Sequence, residues 1–510
     1  MLYRNVASPK IGSVEPEQGD ESMLGRIGSW GLWFLVSLLP GISLVNSSFA
    51  DTSAESLQAG AYAQDITPPK FPISVNGGMA DRQATAAHDP LHARCLVLKN
   101  EVTSLSIVVC DSCAIPRDLM DRAKHLASTK TGIPASHIMI SATHAHSCPT
   151  VAHLFQSDPD KEYAEFLVEQ IAIGIERAYN QLEPARVGWG SVEQRSLLFN
   201  RRWYVKFDEK EGEAVESPFG TLSDRVITNP GFNNTKVTKS INLIDPELSF
   251  LSVQSRDGRP IALLANYSLH YIGNVPGDVV SADYFGEFAE RIARQLKATD
   301  VQPPFVGIMS NGTSGDVNNV DFRQKTPPER EPFEQINFAA ELLTQDVAKA
   351  CAKITYYEAL PLKVRQAEIV VGVRKPIAEE AAVAQRKLDE IQERPLKDVP
   401  LIYARETTLL AEYPPSVKIL LQAMRIGTLG IASCPCETFT ETGLFIKKSS
   451  PFKSTFTISL ANGYNGYLPP PDQMLLGGYE TWRARSSYLS SDSEPKIQST
   501  IKQLLREAHQ

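Results

Sequence analysis

Two histidines separated by one residue follow a short apolar stretch and could bind a metal ion. Residues 137–141 have the composition of a β-strand and lead directly to His144 and His146. In an extended backbone the side chains of residues i and i+2 project to the same side, so both imidazoles could face one cleft. Neutral imidazole is a preferred zinc ligand, and its second ring nitrogen needs an orienting partner. Two hydrogen-bonded histidines at a strand end would give the same pattern, so the pair alone leaves both interpretations open.

His270 and Glu437 occupy similar positions after two other apolar stretches. His270 follows residues 261–267 and Glu437 follows residues 430–432, and each stretch predicts a strand. Ligand sites gather at the carboxyl ends of strands in layered α/β proteins, so both side chains could approach His144. Glu437 could bind a metal, act as a base, or cap the helix that is predicted to follow it.

Tyrosine and cysteine side chains near Glu437 are further candidates. Tyr467 lies in a glycine-containing loop after a fourth apolar stretch, which indicates either substrate or metal contact or a plain turn with surface tyrosines. Cys434 and Cys436 could bind metal as thiolates, but the pattern favours small buried side chains at a strand end. The seven cysteines cannot all pair within one chain, and a chain of 510 residues needs no disulfide framework.

The elements that must position these residues alternate between strands and helices. Strands are predicted at residues 94–99, 105–109, 137–141, 248–253, 261–267, 364–371, 418–425 and 430–432. Helices are predicted at residues 116–128, 163–182, 284–296 and 333–352. The sequence therefore predicts the α/β class, with layered mixed β-sheets and flanking helices.

Two segments depart from this alternation. Residues 204–240 are charged and weakly periodic, which predicts a surface loop near the site. Residues 378–393 predict a charged amphipathic helix with a solvated outer face. No linker rich in Pro, Gly or Ser follows residue 60, so residues 51–510 are predicted to form a single domain.

The amino-terminal region has the features of an export signal that begins at an internal methionine. Residues 1–22 are polar and acidic, whereas an apolar run over residues 27–45 follows Met23 and ends near a small-x-small cleavage motif at Ala50. A membrane anchor is the alternative, but Pro40-Gly41 interrupts the run. We therefore expect translation from Met23, cleavage after Ala50, export to the periplasm or the medium, and no stable transmembrane span in the mature chain.

The charge balance excludes one large class of partners. The chain has 51 Lys and Arg against 59 Asp and Glu, a formal charge of -8. Nucleic-acid binding requires a concentrated basic face, and the sequence contains only isolated basic pairs. The expected partner is a small-molecule or lipid substrate.

Four segments of the chain look like those of the neutral/alkaline (non-lysosomal) ceramidases and occur in the same order. They are Thr-His-Ala-His-Ser at residues 143–147, the strand end at His270, Cys-Glu-Thr-Phe-Thr at residues 436–440 and Asn-Gly-Tyr-Asn-Gly-Tyr at residues 462–467. The similarity extends from about residue 59 to the carboxyl terminus. The chain thus resembles the amino-terminal catalytic domain of that family, and the resemblance implies its layered fold and hydrolysis of an N-acyl bond.

The resemblance also implies roles for individual residues. It implies a single Zn²⁺ ion bound by His144, His270, Glu437 and Tyr467. His146 corresponds to a histidine that helps to handle the substrate or the oxyanion, and Arg201 to an arginine that holds the polar head of the substrate. Asp283 resembles the aspartate that follows the second histidine ligand.

The departures from the family pattern concern the substrate. Asn318 stands where the family has a serine at the reaction centre, and its amide could donate a hydrogen bond but cannot act as a nucleophile. The sequence also ends at Gln510 without the carboxyl-terminal immunoglobulin-like domain of that family. The predicted function is an exported zinc hydrolase that cleaves an amide or related carbonyl bond with metal-activated water. The alternatives are a true ceramidase acting on lipid and a non-catalytic binding protein built on the zinc scaffold.

Overall fold

The computed structural model describes residues 56–210 and 212–510, and these residues form one compact unit. The predicted signal region at residues 1–50 and its cleavage position lie outside the described residues. Among the helices of the described part, none combines the length and the apolar character that a membrane crossing requires.

An eight-stranded mixed sheet forms the centre of the fold. Its strands are β1 (Gln58–Asp65), β2 (His92–Lys99), β3 (Ser104–Cys110), β4 (Ile138–Ala142), β5 (Glu183–Glu193), β6 (Glu247–Ser255), β7 (Pro260–Tyr267) and β8 (Val306–Asn311). They are arranged in the order β8-β7-β6-β5-β1-β2-β3-β4. The two outermost pairs, β3 with β4 and β7 with β8, are parallel, and the other neighbours are antiparallel.

A four-stranded sheet packs against the first sheet. It consists of β9 (Leu362–Gly372), β10 (Ser416–Ile426), β11 (Leu429–Cys434) and β12 (Ser454–Ser459) in that order, with β11 and β12 parallel. The helices are α1 (Arg117–Thr131), α2 (Lys161–Asn180), α3 (Asp283–Gln295), α4 (Glu334–Cys351), α5 (Ala378–Asp389), α6 (Val399–Ala411), α7 (Thr440–Ser449), α8 (Pro471–Leu475) and α9 (Ser493–His509).

The hydrophobic cores show that these elements form four layers. In β2, successive side chains point to opposite faces, so Cys95 and Val97 pack with α1–α4 while Leu96 packs with the second sheet. On the far face of the second sheet, Ile419 of β10 packs with Ile501 of α9. The sequence of layers is therefore helices, eight-stranded sheet, four-stranded sheet and helix. Burial on both faces explains why the central strands are almost continuously apolar.

The predicted strands and long helices are present, with shifts of a few residues at their ends. Asp257-Gly258 lies in the hairpin turn that joins β6 and β7, and Gly258 has the positive φ of 94° that favours glycine. Helix α2 begins after Asp160, whose carboxylate accepts a hydrogen bond from the Tyr163 amide. Helix α1 ends at Gly132 with φ of 74°.

The sequence did not predict β1, β5, β8 or α9, and two further segments differ from what it predicted. Residues 204–240 are not a plain loop, because much of the segment forms short strands: Arg202–Val205, Val215–Glu216, Leu222–Asp224, Val226–Thr228 and Val237–Ser240. Each strand is too short to show an alternating pattern. The sequence also did not predict α6, which pairs with α5. Helix α5 ends at Asp389, so the predicted helix over residues 378–393 is four residues too long.

Contacts between loops close the fold around one end of both sheets. The Asn462 amide donates to the Ile140 carbonyl at 2.7 Å, and the Ala142 amide donates to the Leu460 carbonyl at 3.1 Å, which joins β4 to the chain after β12. Asn311, the last residue of β8, donates from Nδ2 to the Thr143 carbonyl at 3.1 Å. The carboxyl ends of β4, β8 and β12 are thus brought together, and the site is built there.

Candidate metal centre and its cavities

The chain turns sharply at His144 after leaving β4. The Thr143 amide donates to the Cys110 carbonyl and the His144 amide to the Ser112 carbonyl, both at 2.9 Å, so the chain continues alongside β3. His144 itself has a positive φ of 71°, and it is therefore not in the extended conformation that the sequence suggested. Its Nδ1 lies 2.7 Å from the Cys113 carbonyl. Because a carbonyl only accepts, Nδ1 carries the hydrogen and Nε2 is directed into the site.

His270 is fixed in the same manner after β7. Its Nδ1 lies 3.0 Å from the Ser314 carbonyl, to which it donates. Its Nε2 is buried and has no hydrogen-bond partner among the described residues. A buried polar atom without a partner carries a free-energy cost, so this nitrogen calls for an explanation.

Asp283 holds the segment that carries His270. Its carboxylate accepts hydrogen bonds from the backbone amides of Ile272 at 3.0 Å and Gly273 at 2.8 Å, immediately after the histidine. It also accepts from its neighbour Tyr284 at 2.6 Å, at the start of α3. Burial raises the pKa of Asp283 to about 6, against the opposing effect of these amides. Asp283 thus acts on the site through the backbone.

Glu437 reaches the same point from the second sheet. A short parallel pairing of Glu437–Thr438 with Tyr467–Leu468 follows β11, and the Glu437 amide donates to the Gly466 carbonyl at 2.9 Å. Helix α7 begins with Phe439 as its N-cap residue. The Glu437 side chain therefore does not cap this helix and points to the histidines. Its Oε1 accepts a hydrogen bond from the Tyr464 hydroxyl at 2.8 Å.

These three side chains converge in space. The Oε2 of Glu437 lies 3.1 Å from Nε2 of His144 and 3.7 Å from Nε2 of His270. One donor atom from each residue lies within 4.8 Å of the others, so the three residues could hold a metal ion. A second group that meets the same criterion consists of Cys113, His144 and His146 and shares His144 with the first.

Tyr467 lies beside this group in contact with Arg201. The Tyr467 hydroxyl accepts a hydrogen bond from Nη2 of Arg201 at 3.0 Å. The same guanidinium donates to the Gly315 carbonyl at 2.7 Å and to Glu480 at 2.9 Å. Burial and the Glu437 carboxylate raise the pKa of Tyr467 above its usual range, while Arg201 acts in the opposite direction. The observed contacts of Arg201 are thus with the protein, and they fix the position of the Tyr467 hydroxyl.

His146 contacts His144 and closes one side of the site. The Nε2 atoms of the two histidines lie 3.1 Å apart. The ring of Tyr271 stacks on the other side of His146, with 3.7 Å between the ring centroids and 16° between the planes. Gly77 leaves room for the ring, because a Cβ at this position would lie 2.5 Å from Cγ of His146. Gly77 also has a φ of 112°, which a glycine adopts without strain.

The charges of these rings depend on burial and on their neighbours. Burial opposes protonation of His144, but the Glu437 carboxylate and Cys113 together outweigh it and raise the pKa of His144. Burial lowers the pKa of His146 and of His270, and the cationic neighbours Arg201 and His144 lower both further. Burial alone would raise the pKa of Glu437, yet His144 holds it below its usual value. In the protein chain alone, a proton is therefore favoured between His144 and Glu437, and the other two rings are neutral.

Two cavities meet at His146. The inner cavity, of about 20 Å³, is lined by His144, Glu437, Tyr464 and Tyr467. The outer pocket, of about 190 Å³, is lined by Arg82, Ser147, Tyr271, Asn274 and Asp283. His146, Gly77 and Gly78 line both. The inner cavity has room for about one water molecule, whereas the outer pocket can hold part of a small molecule.

A third and larger pocket adjoins the outer pocket at Asn274. Its volume is about 470 Å³, and its lining is mostly apolar. The apolar lining side chains include Leu197, Phe199, Phe232, Ile272 and Phe338. The inner cavity, the outer pocket and the apolar pocket are thus neighbours in that order, and each shares lining residues with the next.

Asn318 is placed differently from the other candidates. Its Nδ2 donates to Oδ1 of Asn229 at 2.6 Å, and its Oδ1 accepts from the Val320 amide at 2.9 Å. Within the described residues it lines neither the inner cavity nor the outer pocket. Cys434 and Cys436 are buried as free thiols in and just after β11 and are not part of either candidate metal group.

The contacts made by Cys113, Tyr464, Tyr271 and Glu480 did not follow from the sequence analysis. Tyr464 is one of two tyrosines in the glycine-containing segment 462–467, and nothing in the sequence predicts its contact with Glu437. Cys113 supplies a carbonyl, and backbone contacts carry no residue-specific signal. Glu480 is buried beside Arg201 and also accepts from Arg202 at 2.7 Å. Glu480 stands among Gly, Tyr, Thr, Trp and Arg residues, so no apolar stretch of the sequence marks it as buried.

The fold and these donor residues define a layered α/β protein with a candidate metal centre at the carboxyl ends of its strands. Its fold is similar to that of neutral ceramidase from Pseudomonas aeruginosa, with a TM-score of 0.66 and 16% identity, covering 88% of this chain and 74% of that one. It is also similar to a ceramidase complexed with C2, with a TM-score of 0.65 and 16% identity, covering 89% and 76% of the two chains.

No protein-family model and no curated protein sequence matches the chain. At 16% identity the structural likeness establishes the fold alone. The prediction of an α/β fold with layered mixed sheets and flanking helices, similar to the catalytic domain of neutral ceramidases, is confirmed.

Proposed function

We propose that this protein is a zinc-dependent hydrolase that cleaves an amide (N-acyl) or related carbonyl bond. The observation that carries the proposal is the convergence of His144, His270 and Glu437, with Nε2 of His270 buried and without a partner among the described residues. A bound cation would satisfy that nitrogen. Both imidazoles already donate from Nδ1 to carbonyls, which is the arrangement that presents Nε2 to a metal.

The donor set suits zinc. Two imidazoles and one carboxylate are a common ligand set of catalytic zinc, and Tyr467 stands close enough to Glu437 to complete it. When bound in such a set, zinc lowers the pKa of water to about 7 and polarises carbonyl groups. The residues of this chain would bind the ion, orient the substrate beside it and exclude bulk water.

Protein groups around the inner cavity would assist this chemistry. The lowered pKa of His146 keeps its ring neutral near pH 7, so its Nε2 can exchange a proton or donate a hydrogen bond to a carbonyl oxygen in the cavity. Arg201 holds the Tyr467 hydroxyl at the opposite wall. Loss of one donor to a developing oxyanion typically lowers turnover by about 100- to 1000-fold. Asn318, which lines neither cavity, is not assigned a role in bond cleavage.

The pockets support a substrate with an apolar chain. The structural neighbours are named as ceramidases, and an N-acyl lipid would place its reacting carbonyl in the inner cavity. The apolar pocket beyond Asn274 is large enough for part of a hydrocarbon chain. This pocket favours an acylated substrate over a purely polar one, with ceramide itself as one member of that class.

The experiment is a substrate screen with the zinc-loaded protein against N-acyl amides, esters, lactones and ceramide. We expect turnover of at least one N-acyl amide by the wild type and loss of at least about 1000-fold in the His144→Ala variant, because the metal would be lost. Stoichiometric zinc without turnover of any substrate would favour the binding-protein alternative. Full activity of His144→Ala would contradict the metal mechanism.

We also propose that the chain is exported after cleavage following Ala50. The support is the apolar run after Met23 and the cleavage motif, which lie outside the described residues. Expression with residues 1–50 present, followed by amino-terminal sequencing of the material outside the cytoplasm, tests the proposal. A mature chain that retains Trp30 and Trp33 would contradict it.

A further inference from the structure

The outer pocket contains an arginine that has no acidic partner. Arg82 is the one lining residue, within the described part of the pocket, that carries a positive charge at neutral pH. The only hydrogen bond of its guanidinium among the described residues runs from Nη2 to the His146 carbonyl, and it forms no ion pair there. The remaining donors of its guanidinium are free to bind a ligand in the pocket.

The acidic residue in the same pocket forms no ion pair with Arg82. The Asp283 carboxylate is directed into the backbone, where it accepts from the Ile272, Gly273 and Tyr284 amides at 2.6 to 3.0 Å. Its side chain is almost completely buried. The pocket therefore presents a cationic guanidinium next to the neutral rings of His146 and Tyr271.

The position of Arg82 relates it to the reacting bond. Arg82 donates to the backbone of His146, whose ring lines both the inner cavity and the outer pocket. A substrate whose carbonyl occupies the inner cavity would therefore extend past His146 into the pocket that Arg82 lines. Guanidinium groups bind carboxylates through charge-assisted and often bidentate hydrogen bonds.

We infer that Arg82 selects substrates that carry a carboxylate next to the scissile N-acyl bond, that is, N-acyl amino acids. The inference rests on the proposed hydrolase function. Hydrolysis would add one water across the amide, giving a carboxylic acid and a free amino acid. The carboxylate would contact Arg82 in the outer pocket, and the acyl chain would extend past Asn274 into the apolar pocket. A neutral head group, such as that of ceramide, leaves Arg82 without a counter-charge.

The experiment compares N-lauroylglycine with its neutral analogue N-lauroylglycinamide, in the wild type and in Arg82→Gln and Arg82→Lys. We expect the wild type to prefer the carboxylate by at least about tenfold in kcat/KM, mainly through KM, because the contact is charge-assisted. Arg82→Gln should abolish the preference and Arg82→Lys should keep part of it. Arg256→Gln is the matched control, because Arg256 is half-exposed in the turn between β6 and β7. This variant should keep the full preference for the carboxylate.

Two outcomes would overturn the inference. One is equal cleavage of the two compounds by the wild type. The other is an equal loss for both compounds in Arg82→Gln, which would show that Arg82 acts only by supporting His146. Equilibrium binding of both compounds to the zinc-loaded protein provides a readout without turnover. If the protein binds N-lauroylglycine selectively through Arg82 but does not hydrolyse it, the proposed hydrolase function is contradicted. The inference that Arg82 binds a carboxylate would still hold.

Discussion

Nε2 of His144 and Oε2 of Glu437 lie 3.1 Å apart, although 293 positions separate the two residues in the chain. Each residue follows a strand of a different sheet, and the backbone contacts between residues 140–142 and 460–462 keep the two loops together. The imidazole is fixed by the Cys113 carbonyl and the carboxylate by the Tyr464 hydroxyl. Contacts within the protein thus orient both donors, which reduces the ordering needed when a cation binds.

Replacement of His270 should remove the metal. The wild type is expected to retain about one zinc per chain after gel filtration, and His270→Ala should lose at least about 100-fold in affinity because a direct ligand is gone. Elemental analysis measures the stoichiometry. His153→Ala is the matched control, since His153 is exposed and pairs with Asp158 at 2.9 Å. Stoichiometric zinc in His270→Ala would exclude this residue as a ligand.

The Tyr464 hydroxyl should contribute to metal affinity without binding the ion. It donates to Oε1 of Glu437 at 2.8 Å and so leaves Oε2 to face the histidines. Loss of such an orienting partner typically weakens metal binding by about 10- to 100-fold. Competition with a chelator should show this for Tyr464→Phe. The control is Tyr357→Phe, an exposed tyrosine that stacks on Trp189, and an unchanged affinity in Tyr464→Phe would contradict the orienting role.

The sequence predicted the layered α/β fold because the buried strands are long apolar runs and the helices carry clear apolar stripes. It missed α6, whose buried residues include the polar side chains of Glu406 and Thr407. The apolar stripe is therefore interrupted and no single helical period stands out. The short strands of residues 204–240 were missed because two to four residues cannot establish an alternation.

The sequence indicated the candidate donors His144, His270 and Glu437 because each follows a strand, and the structure brings them together. The groups that orient them could not be predicted. The Cys113 and Ser314 carbonyls are backbone atoms, whose identity does not depend on the side chain. Their positions depend on how distant loops pack. The sequence predicted that His144 and His146 face the same side because the backbone there would be extended. The two rings do lie together, but His144 has a positive φ and the backbone is not extended.

Gly77 should be required for the position of His146. In Gly77→Ala, the new Cβ would lie 2.5 Å from Cγ of His146, and alanine would have to adopt a φ of 112°. The φ alone is expected to cost about 1–3 kcal/mol in the free energy of unfolding, and displacement of the ring should lower activity as well. Gly277→Ala is the control, because a Cβ at this position would meet nothing within 4 Å and its φ is not positive. Chemical denaturation and turnover measure the two effects, and equal behaviour of both variants would contradict the prediction.

His92 should make the protein less stable in mild acid. Burial, assisted by the nearby Arg94 guanidinium, lowers the pKa of His92 to about 4 from 6.5. The unfolded chain therefore binds a proton in this interval that the folded chain does not, so the free energy of unfolding falls as the pH decreases from about 6.5 to about 4. One pKa unit corresponds to about 1.4 kcal/mol, and residual solvent contact reduces the effect to an expected maximum of about 2 kcal/mol. Urea denaturation of the wild type and of His92→Gln at several pH values measures this effect. The difference between the two proteins in the free energy of unfolding should change between about pH 4 and 6.5 and stay constant above pH 7. A difference between the two proteins that does not change with pH would show that His92 is not the titrating group.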